Sequence, residues 1–314
     1  MIYDVAIVGM GMGGSFACYR MSKENSSLKI LGIDVGRSPQ KRRSQMIGFL
    51  GLLPFSDGKL YSHDVLKVSK LTGLKKSKTH NNHVQNIISE VNDFKEIKDK
   101  EIYSSMEKKL SKNDYEYHYN DYTQMYPKDI HSLSKVFSNE YDSNQNLTFS
   151  YDNEVNGVRK DKDIFILDTD DGEFKCKKLI IGAGRAGWRW SAELFKNFGI
   201  IENNNIAKFG VRGEINSAIF KEFNKANITM NKGDLEIGPL SWNGTVIPED
   251  HVDMALASFR SNENRWKTDK VSFNFMKSVS LEDGGFEEAD RLAKLTFVLT
   301  NDRILKERAQ HIVN

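Results

Sequence analysis

A run of strand-forming residues, Tyr3-Asp4-Val5-Ala6-Ile7-Val8, ends directly in Gly9-Met10-Gly11-Met12-Gly13-Gly14. Apolar, β-branched runs of this length fit a strand buried on both faces of a parallel sheet. The next segment, Ser15 to Lys23, predicts a helix with Phe16, Ala17 and Met21 available for packing. A second strand is expected from Leu28 to Val35, with Asp34 near its end. The order strand, Gly-x-Gly-x-x-Gly, helix, strand, acid restricts the fold sharply. Gly9 permits a tight turn, Gly11 lets a pyrophosphate approach the backbone, and Gly14 lets helix and strand pack closely. The free N–H groups of the first helical turn would face the phosphates. Asp34 stands where a carboxylate accepts a hydrogen bond from a ribose. The spacing therefore predicts a dinucleotide-binding unit, the alternative being a glycine-rich turn in an unrelated α/β fold. It does not by itself separate FAD from NAD.

The flanking composition narrows the function classes. With 314 residues, the chain has room for two modest domains or one large α/β domain with an insertion. Its net charge of +2 gives no field that argues for nucleic acid or a membrane surface. Lys41-Arg42-Arg43 and Lys75-Lys76 are short basic clusters of the kind found on solvated faces. No apolar run reaches the roughly 20 residues of a bilayer-spanning helix. The two cysteines, Cys18 and Cys176, are far apart and form neither a disulfide framework nor a metal cluster. They are read as reduced core residues. Together with an N-terminus that enters a strand without a secretory leader, they imply a cytoplasmic protein.

A family resemblance enters further along. Gly36-Arg37 follows the acid, and Gly48-Phe49-Leu50-Gly51-Leu52-Leu53-Pro54 runs into Phe55-Ser56-Asp57-Gly58-Lys59-Leu60. This stretch resembles a large group of FAD-dependent dehydrogenases within the glutathione-reductase-like FAD-binding superfamily. In that group a glycine-rich loop leads into the same six residues; here Leu52 and Pro54 stand where small residues are expected, and Asp34 where Glu is commoner. Tyr126 to His131, the Leu147 to Tyr151 strand with Asn153-Glu154-Val155, and Lys178 to Trp188 are similar to further segments of the group. So are Phe209 to Glu214 and the stretches from Asn243 and Thr268.

The resemblance implies an α/β protein with a Rossmann-like FAD-binding domain on a parallel sheet, plus a strand-rich substrate domain. It implies an FAD-dependent oxidoreductase acting on a small-molecule substrate. The alternatives are an FAD- or nucleotide-binding subunit without its own turnover, and a flavoenzyme modifying nucleotides or nucleic acid. Candidate cofactor contacts are Gly9, Gly11, Gly13, Gly14, Asp34, Gly36, Arg37, Arg43, Val155, Gly182, Ala183 and Gly184, with the Val155 backbone at adenine. Ser56, Asp57 and Lys59 are candidate catalytic residues beside the flavin, the other reading being a plain turn. Because flavin supplies the redox step, no nucleophile–base pair has to be visible.

Further candidates carry less. Arg185 and Trp188 could face an anion, Arg212 and Glu214 could form an ion pair or touch substrate, and Arg260 and Arg265 near Trp266 could form an anion-binding patch, the other reading being a solvated loop. His80 and His83 have a ligand-like spacing in a polar loop without a nearby carboxylate, so no metal is expected. The expected organisation is a discontinuous cofactor domain, residues 1–64 and 145–200, a helical and polar insertion at 65–144, and a strand-rich region at 201–314 with a C-terminal helix. The insertion's helix would place Val84, Ile87, Ile88, Val91, Phe94 and Ile97 on one face. The last helix, Phe286 to Arg308, would bury Ala289, Leu292, Ala293 and Leu295. Relatives close the flavin site with a Gly-Asp or Gly-Glu turn before a glycine-rich helix. Neither Gly233-Asp234 nor Asp283-Gly284-Gly285 fits it, so the expectation is a second polypeptide completing the site or weak FAD binding by an open one, the alternative being a compact variant whose C-terminal helix replaces the turn.

Overall fold

The computed structural model describes residues 1–42, 46–61, 77–91, 96–97, 114–119, 121–200, 207–223, 227–251, 254–261, 268–279 and 285–301. The chain groups into two units. The first comprises Met1–Phe55, Lys76–Phe94 and Pro127–Glu202, and the second Ser56–Lys75, Lys95–Tyr126 and Asn203–Asn314.

The first unit is built on one sheet of six strands: β1 (Ile2–Val8), β2 (Ile30–Asp34), β3 (Leu147–Tyr151), β4 (Val155–Asp161), β5 (Ile164–Thr169) and β6 (Gly172–Ile181). Their order is β3-β2-β1-β6-β5-β4. The first four in that order run parallel, and β4–β6 form an antiparallel meander whose last strand joins the parallel set. Ala6, Ile7, Leu31 and Ile33 are fully buried, as central parallel strands covered on both faces should be. The architecture is α/β and Rossmann-like.

Helix α1 (Met12–Glu24) follows β1, and its buried residues include Cys18 and Tyr19. Four helices precede the final one in chain order, α2 (Ser77–Ser89), α3 (Pro127–Ser143) and α4 (Trp188–Asn197) following α1 among the described residues. Pro127 starts α3, where a missing N–H costs nothing, and Asp129 sits in its first turn. Ile130, Leu133, Phe137 and Tyr141 then form a buried stripe at helical spacing. That stripe meets α1 and the sheet through rings: Tyr19 stacks on Phe137 at 4.5 Å, and Tyr141 on Phe149 at 4.5 Å. The Tyr141 hydroxyl also donates to the Ser15 carbonyl at 2.8 Å.

The helix expected around Val84 to Ile97 is placed differently. It spans Ser77–Ser89 and buries Ile87 and Ile88, and the Tyr19 hydroxyl donates to the Glu90 carboxylate just beyond its end. Ile97 instead lies in a short strand, Glu96–Ile97, opposite Tyr122. Phe94 lies outside the described residues. The helical spacing of three continues in the sequence through Val91, Phe94 and Ile97 although the helix ends at Ser89, so the period alone does not mark its end. His80 and His83 fall on this helix rather than in a loop.

The second unit is strand-rich. Its main sheet orders Ala207–Asn216, Lys270–Val279, Leu235–Ile237, Ile228–Lys232 and Glu116–Tyr119, all antiparallel. Gly244–Asp250 and Ala255–Ser261 form a hairpin, and Lys59–Tyr61 pairs with Tyr122–Gln124. The C-terminal helix α5 (Gly285–Thr300) buries Ala293, but Leu295 is 45% exposed. Two positions on from Ala293 is about 200° around the helix, so Leu295 points away from the packed face.

Candidate functional site

The strand order reverses at β1. The chain moves outward from β1 through β2 to β3, while β6 lies on the other side of β1. Such a switch point leaves a crevice at the carboxyl ends of the two central strands, where open α/β sheets bind ligands. Both glycine-rich turns of the first unit lie at this point.

The four candidate glycines of the first turn separate into two kinds. Gly9 has φ +94°, and a Cβ there would collide with the Gly182 carbonyl. Its N–H is held by Ile33 O at 2.8 Å, and the Gly182 N–H donates to Val8 O at 2.7 Å. A Cβ on Gly14 would collide with the Gly9 carbonyl. Both glycines are thus demanded by the protein's own packing. Gly11 and Gly13 are not. A Cβ on Gly11 would find its nearest neighbour, Gly51 Cα, at 3.9 Å, and one on Gly13 would meet nothing within 4 Å. Gly11 is also the N-cap of α1 and makes no side-chain cap, so the helix start keeps free donors. The open space at Gly13, the unstrained room at Gly11 and the free helix N-terminus form a cradle of the kind a pyrophosphate needs.

Asp34 lies at the end of β2, 6% exposed. Its Oδ2 accepts the Met10 N–H at 2.6 Å and its Oδ1 the Gly36 N–H at 2.7 Å. Burial pushes its carboxyl above the usual carboxylate range, opposed by the N–H groups of Gly36 and Met10 and by the Arg42 charge. A carboxylate has about four lone-pair sites, so two backbone bonds leave capacity for a hydroxyl donor. Gly36 is closed in by Gly48, whose Cα would lie 2.7 Å from an added Cβ. Arg37 pairs with Asp152 at 3.5 Å.

The loop that resembles the dehydrogenases is tied to the first turn. Leu50, buried and left-handed at φ +62°, donates its N–H to Met10 O at 2.9 Å. The Arg42 guanidinium donates to the carbonyls of Phe49 and Gly51 and lies 5.3 Å from the Phe55 ring centre. Arg37 and Arg43 are the expected cofactor contacts in this stretch. Arg43 lies outside the described residues, and Arg42 is the side chain that organises the loop. Ser15, whose hydroxyl donates to Met10 O at 2.7 Å, was likewise missed.

The other cofactor candidates occupy the same unit. Val155 opens β4 and is buried, next to Asn153, whose N–H donates to Asp34 O at 3.2 Å. Gly182, Ala183 and Gly184 leave β6 beside Gly9, and Gly184 is exposed at φ +62°. The full turn Gly182-Ala183-Gly184-Arg185-Ala186-Gly187 repeats the Gly-x-Gly-x-x-Gly spacing between a strand and α4. That signal was present in the sequence.

Ser56, Asp57 and Lys59 belong to the second unit. Lys59 is buried, with its side chain 4% exposed. Its ammonium donates to the Leu240 carbonyl and to Asn227 Oδ1, the latter at 3.2 Å, and lies 3.4 Å from Asp57 Oδ2. Ser56 Oγ accepts the Gly58 N–H at 3.0 Å, a turn bond. In the same unit Arg212 donates to Ala257 O and Asn274 Oδ1. Glu214 accepts the Val246 N–H at 2.7 Å and pairs with Lys270 at 3.0 Å. These two side chains fasten the main sheet to the neighbouring hairpin. Arg185 is exposed, and the Arg189 guanidinium lies 5.2 Å from the Trp188 ring. The side chain of Arg260, and Arg265 and Trp266 altogether, lie outside the described residues. Among the described residues no group of three His, Cys, Asp or Glu could hold a metal ion. Among them, too, no helix is long and apolar enough to cross a membrane.

No family model matches the sequence, and no curated protein matches it. Solved structures do resemble it in shape. One is a flavoprotein/dehydrogenase from Cytophaga hutchinsonii, at 12% identity and a TM-score of 0.40, covering 91% of this chain and 57% of that one. A second is the halogenase PltM in complex with phloroglucinol and FAD, at 13% identity and a TM-score of 0.44, covering 92% and 55%. A third is NikD, an unusual amino acid oxidase, at 12% identity and a TM-score of 0.40, covering 89% and 72%. The chain spans a little over half the length of the first two.

Proposed function

We propose that the switch-point cradle of the first unit binds FAD and that the chain acts as a flavin-dependent oxidoreductase on a small-molecule substrate. The observation that carries this reading is the division among the glycines. Packing accounts for Gly9 and Gly14, whereas a Cβ would meet nothing within 4 Å at Gly13 and clash with nothing at Gly11, both at a helix N-terminus. A dinucleotide pyrophosphate accounts for that space. The choice of flavin over nicotinamide rests on the resemblance of the Phe55 to Leu60 stretch and its preceding loop to FAD-dependent dehydrogenases.

In this reading each residue has a binding task. The N–H groups at the start of α1 meet the phosphates. Asp34 holds the turn in shape through Met10 and Gly36 and offers its remaining lone pairs to the ribose. Arg42 keeps the Phe49–Gly51 carbonyls in place, so that the second loop lies against Gly11 and Met12. Bound flavin would accept a hydride equivalent from a substrate or pass one on.

The absorbance spectrum of the purified chain, followed by titration with FAD, tests the proposal. Yellow protein, or uptake of about one FAD per chain, and bleaching on reduction are expected. Colourless protein that fails to take up FAD would end it. Bound flavin that no reductant or substrate reduces would restrict the chain to a binding module.

A further inference from the structure

The β4–β6 meander carries a groove of about 610 Å³ that the proposed cofactor site does not use. Its floor is apolar, made by Ile164, Phe165 and Leu179, and its rim is basic, made by Lys160, Lys177 and Lys178. Strand residues normally alternate between faces. On β6 that alternation breaks after the buried Cys176, since Lys177 and Lys178 are both exposed. Two successive ammonium groups therefore leave the strand toward solvent. Lys177 is matched by Asp4 at 2.7 Å. Neither Lys160 nor Lys178 forms an ion pair among the described residues. The Lys160 ammonium lies 5.4 Å from the centre of the Phe165 ring, so positive charge borders the aromatic floor directly. Asp163 is the one carboxylate on the lining.

We propose that this groove binds a small aromatic anion, such as an aryl carboxylate, sulfonate or phosphate ester. A flat ring would cover Phe165 and Leu179 while its acidic oxygens meet Lys160 and Lys178. An inorganic anion would leave the floor wet, and a neutral ring would leave both ammonium groups unmatched. The volume falls within the range of about 300–1,000 Å³ typical of small-molecule sites. The site is separate from the cradle at Gly9–Gly14. Leu179, the lining residue nearest to it along β6, precedes Gly182 by three positions, about 10 Å at roughly 3.3 Å per residue.

Isothermal titration of the whole chain with naphthalene sulfonate, with and without added FAD, tests the proposal. One saturable site is expected, weakened by salt as exposed charge pairs are and unaffected by FAD. The double variant Lys160→Gln, Lys178→Gln should bind about tenfold more weakly, a loss well resolved by titration. Asp163→Asn should bind more tightly, because it removes the one repelling carboxylate. All three side chains are exposed, and unchanged melting temperatures would verify that the variants fold. No saturable binding, binding unaltered by either variant, or displacement of the probe by FAD would overturn the site. Inorganic phosphate binding as tightly as the probe would overturn the role of the apolar floor.

Discussion

The Oδ2 atom of Asp34 accepts the backbone N–H of Met10 at 2.6 Å, joining the end of β2 to the middle of the glycine turn 24 residues earlier. With the Gly36 N–H on its other oxygen, one buried side chain braces both loops of the proposed cofactor site. Its contribution to that site is thus partly indirect, through the shape of the turn.

Asp34→Ala would orphan two buried N–H groups, at about 1–3 kcal/mol each. Asp34→Asn keeps one acceptor and should cost about half as much. The carboxyl's raised pKa sets the sign of the pH dependence. Between its ordinary and its raised value the folded state holds a proton that the unfolded state has lost, so stability falls as pH rises through that window. The advantage of the native protein over Asp34→Asn should therefore be larger near pH 4 than near pH 7. Urea unfolding at several pH values measures it, and the opposite trend would contradict the assignment of burial as the dominant cause.

Gly13→Ala and Gly14→Ala are neighbouring changes with opposite expected outcomes. A Cβ at Gly14 meets the Gly9 carbonyl, whereas one at Gly13 meets nothing within 4 Å. Gly14→Ala should destabilise the apoprotein by more than about 3 kcal/mol, as forced backbone movement in a core does. Gly13→Ala lies inside α1 and should be neutral or stabilise by up to about 1 kcal/mol through helix propensity. Chemical unfolding of both apoproteins decides the comparison.

The opening β1–turn–α1–β2 unit was legible because its determinants are local. Glycine spacing, β-branched runs and an acid at a set distance all fall within the first 34 residues. The partners of β1 and β2 in the sheet were harder to read, since β3 and β6 arrive from residues 147 and 172 and such pairings leave no periodic mark. Asp34 was recognised, but not its hold on Met10, because one backbone N–H looks like any other in a sequence. In the same way a basic run cannot show that Arg42, rather than its neighbours, turns inward onto Phe49 and Gly51. Lys59 stood out through its motif, yet its burial depends on Asn227 and Leu240, nearly 170 residues or more away.

Lys59→Met should expose the role of that contact. The change leaves the Leu240 carbonyl and Asn227 Oδ1 without their donor in a buried setting, at a cost of about 1–3 kcal/mol. A lower urea midpoint with an unchanged slope is expected, because the surface exposed on unfolding stays the same. A spectrum of bound flavin identical to that of the native protein would accompany it. A native midpoint, or a shifted flavin spectrum, would point instead to a direct role at the cofactor.

Both cysteines should be silent toward thiol reagents in the native state. Burial pushes the Cys18 thiol up to about 12 and the Cys176 thiol up to about 11. The reactive thiolate is then scarce at neutral pH, and access is blocked as well. Alkylation followed by mass spectrometry should find no label on folded protein and two labels after denaturation. Rapid native labelling of Cys18 would mean that α1 opens away from the sheet.

Gly11→Val separates cofactor binding from folding. The Gly11 backbone has φ −61°, within reach of any residue, and its nearest neighbour to an added Cβ is Gly51 Cα at 3.9 Å. The fold should accept the new side chain at a modest cost of about 0.5–1 kcal/mol, since its Cβ would meet Gly51 Cα at ordinary van der Waals distance without a clash. The space it fills is the one assigned to the pyrophosphate, so FAD uptake should be lost. The pair of measurements matters more than either alone. A soluble, native-like variant that binds no FAD supports the cradle. A variant that unfolds would show that Gly11, like Gly9 and Gly14, is required by packing. A stable variant with undiminished FAD binding would remove the phosphate from this turn altogether.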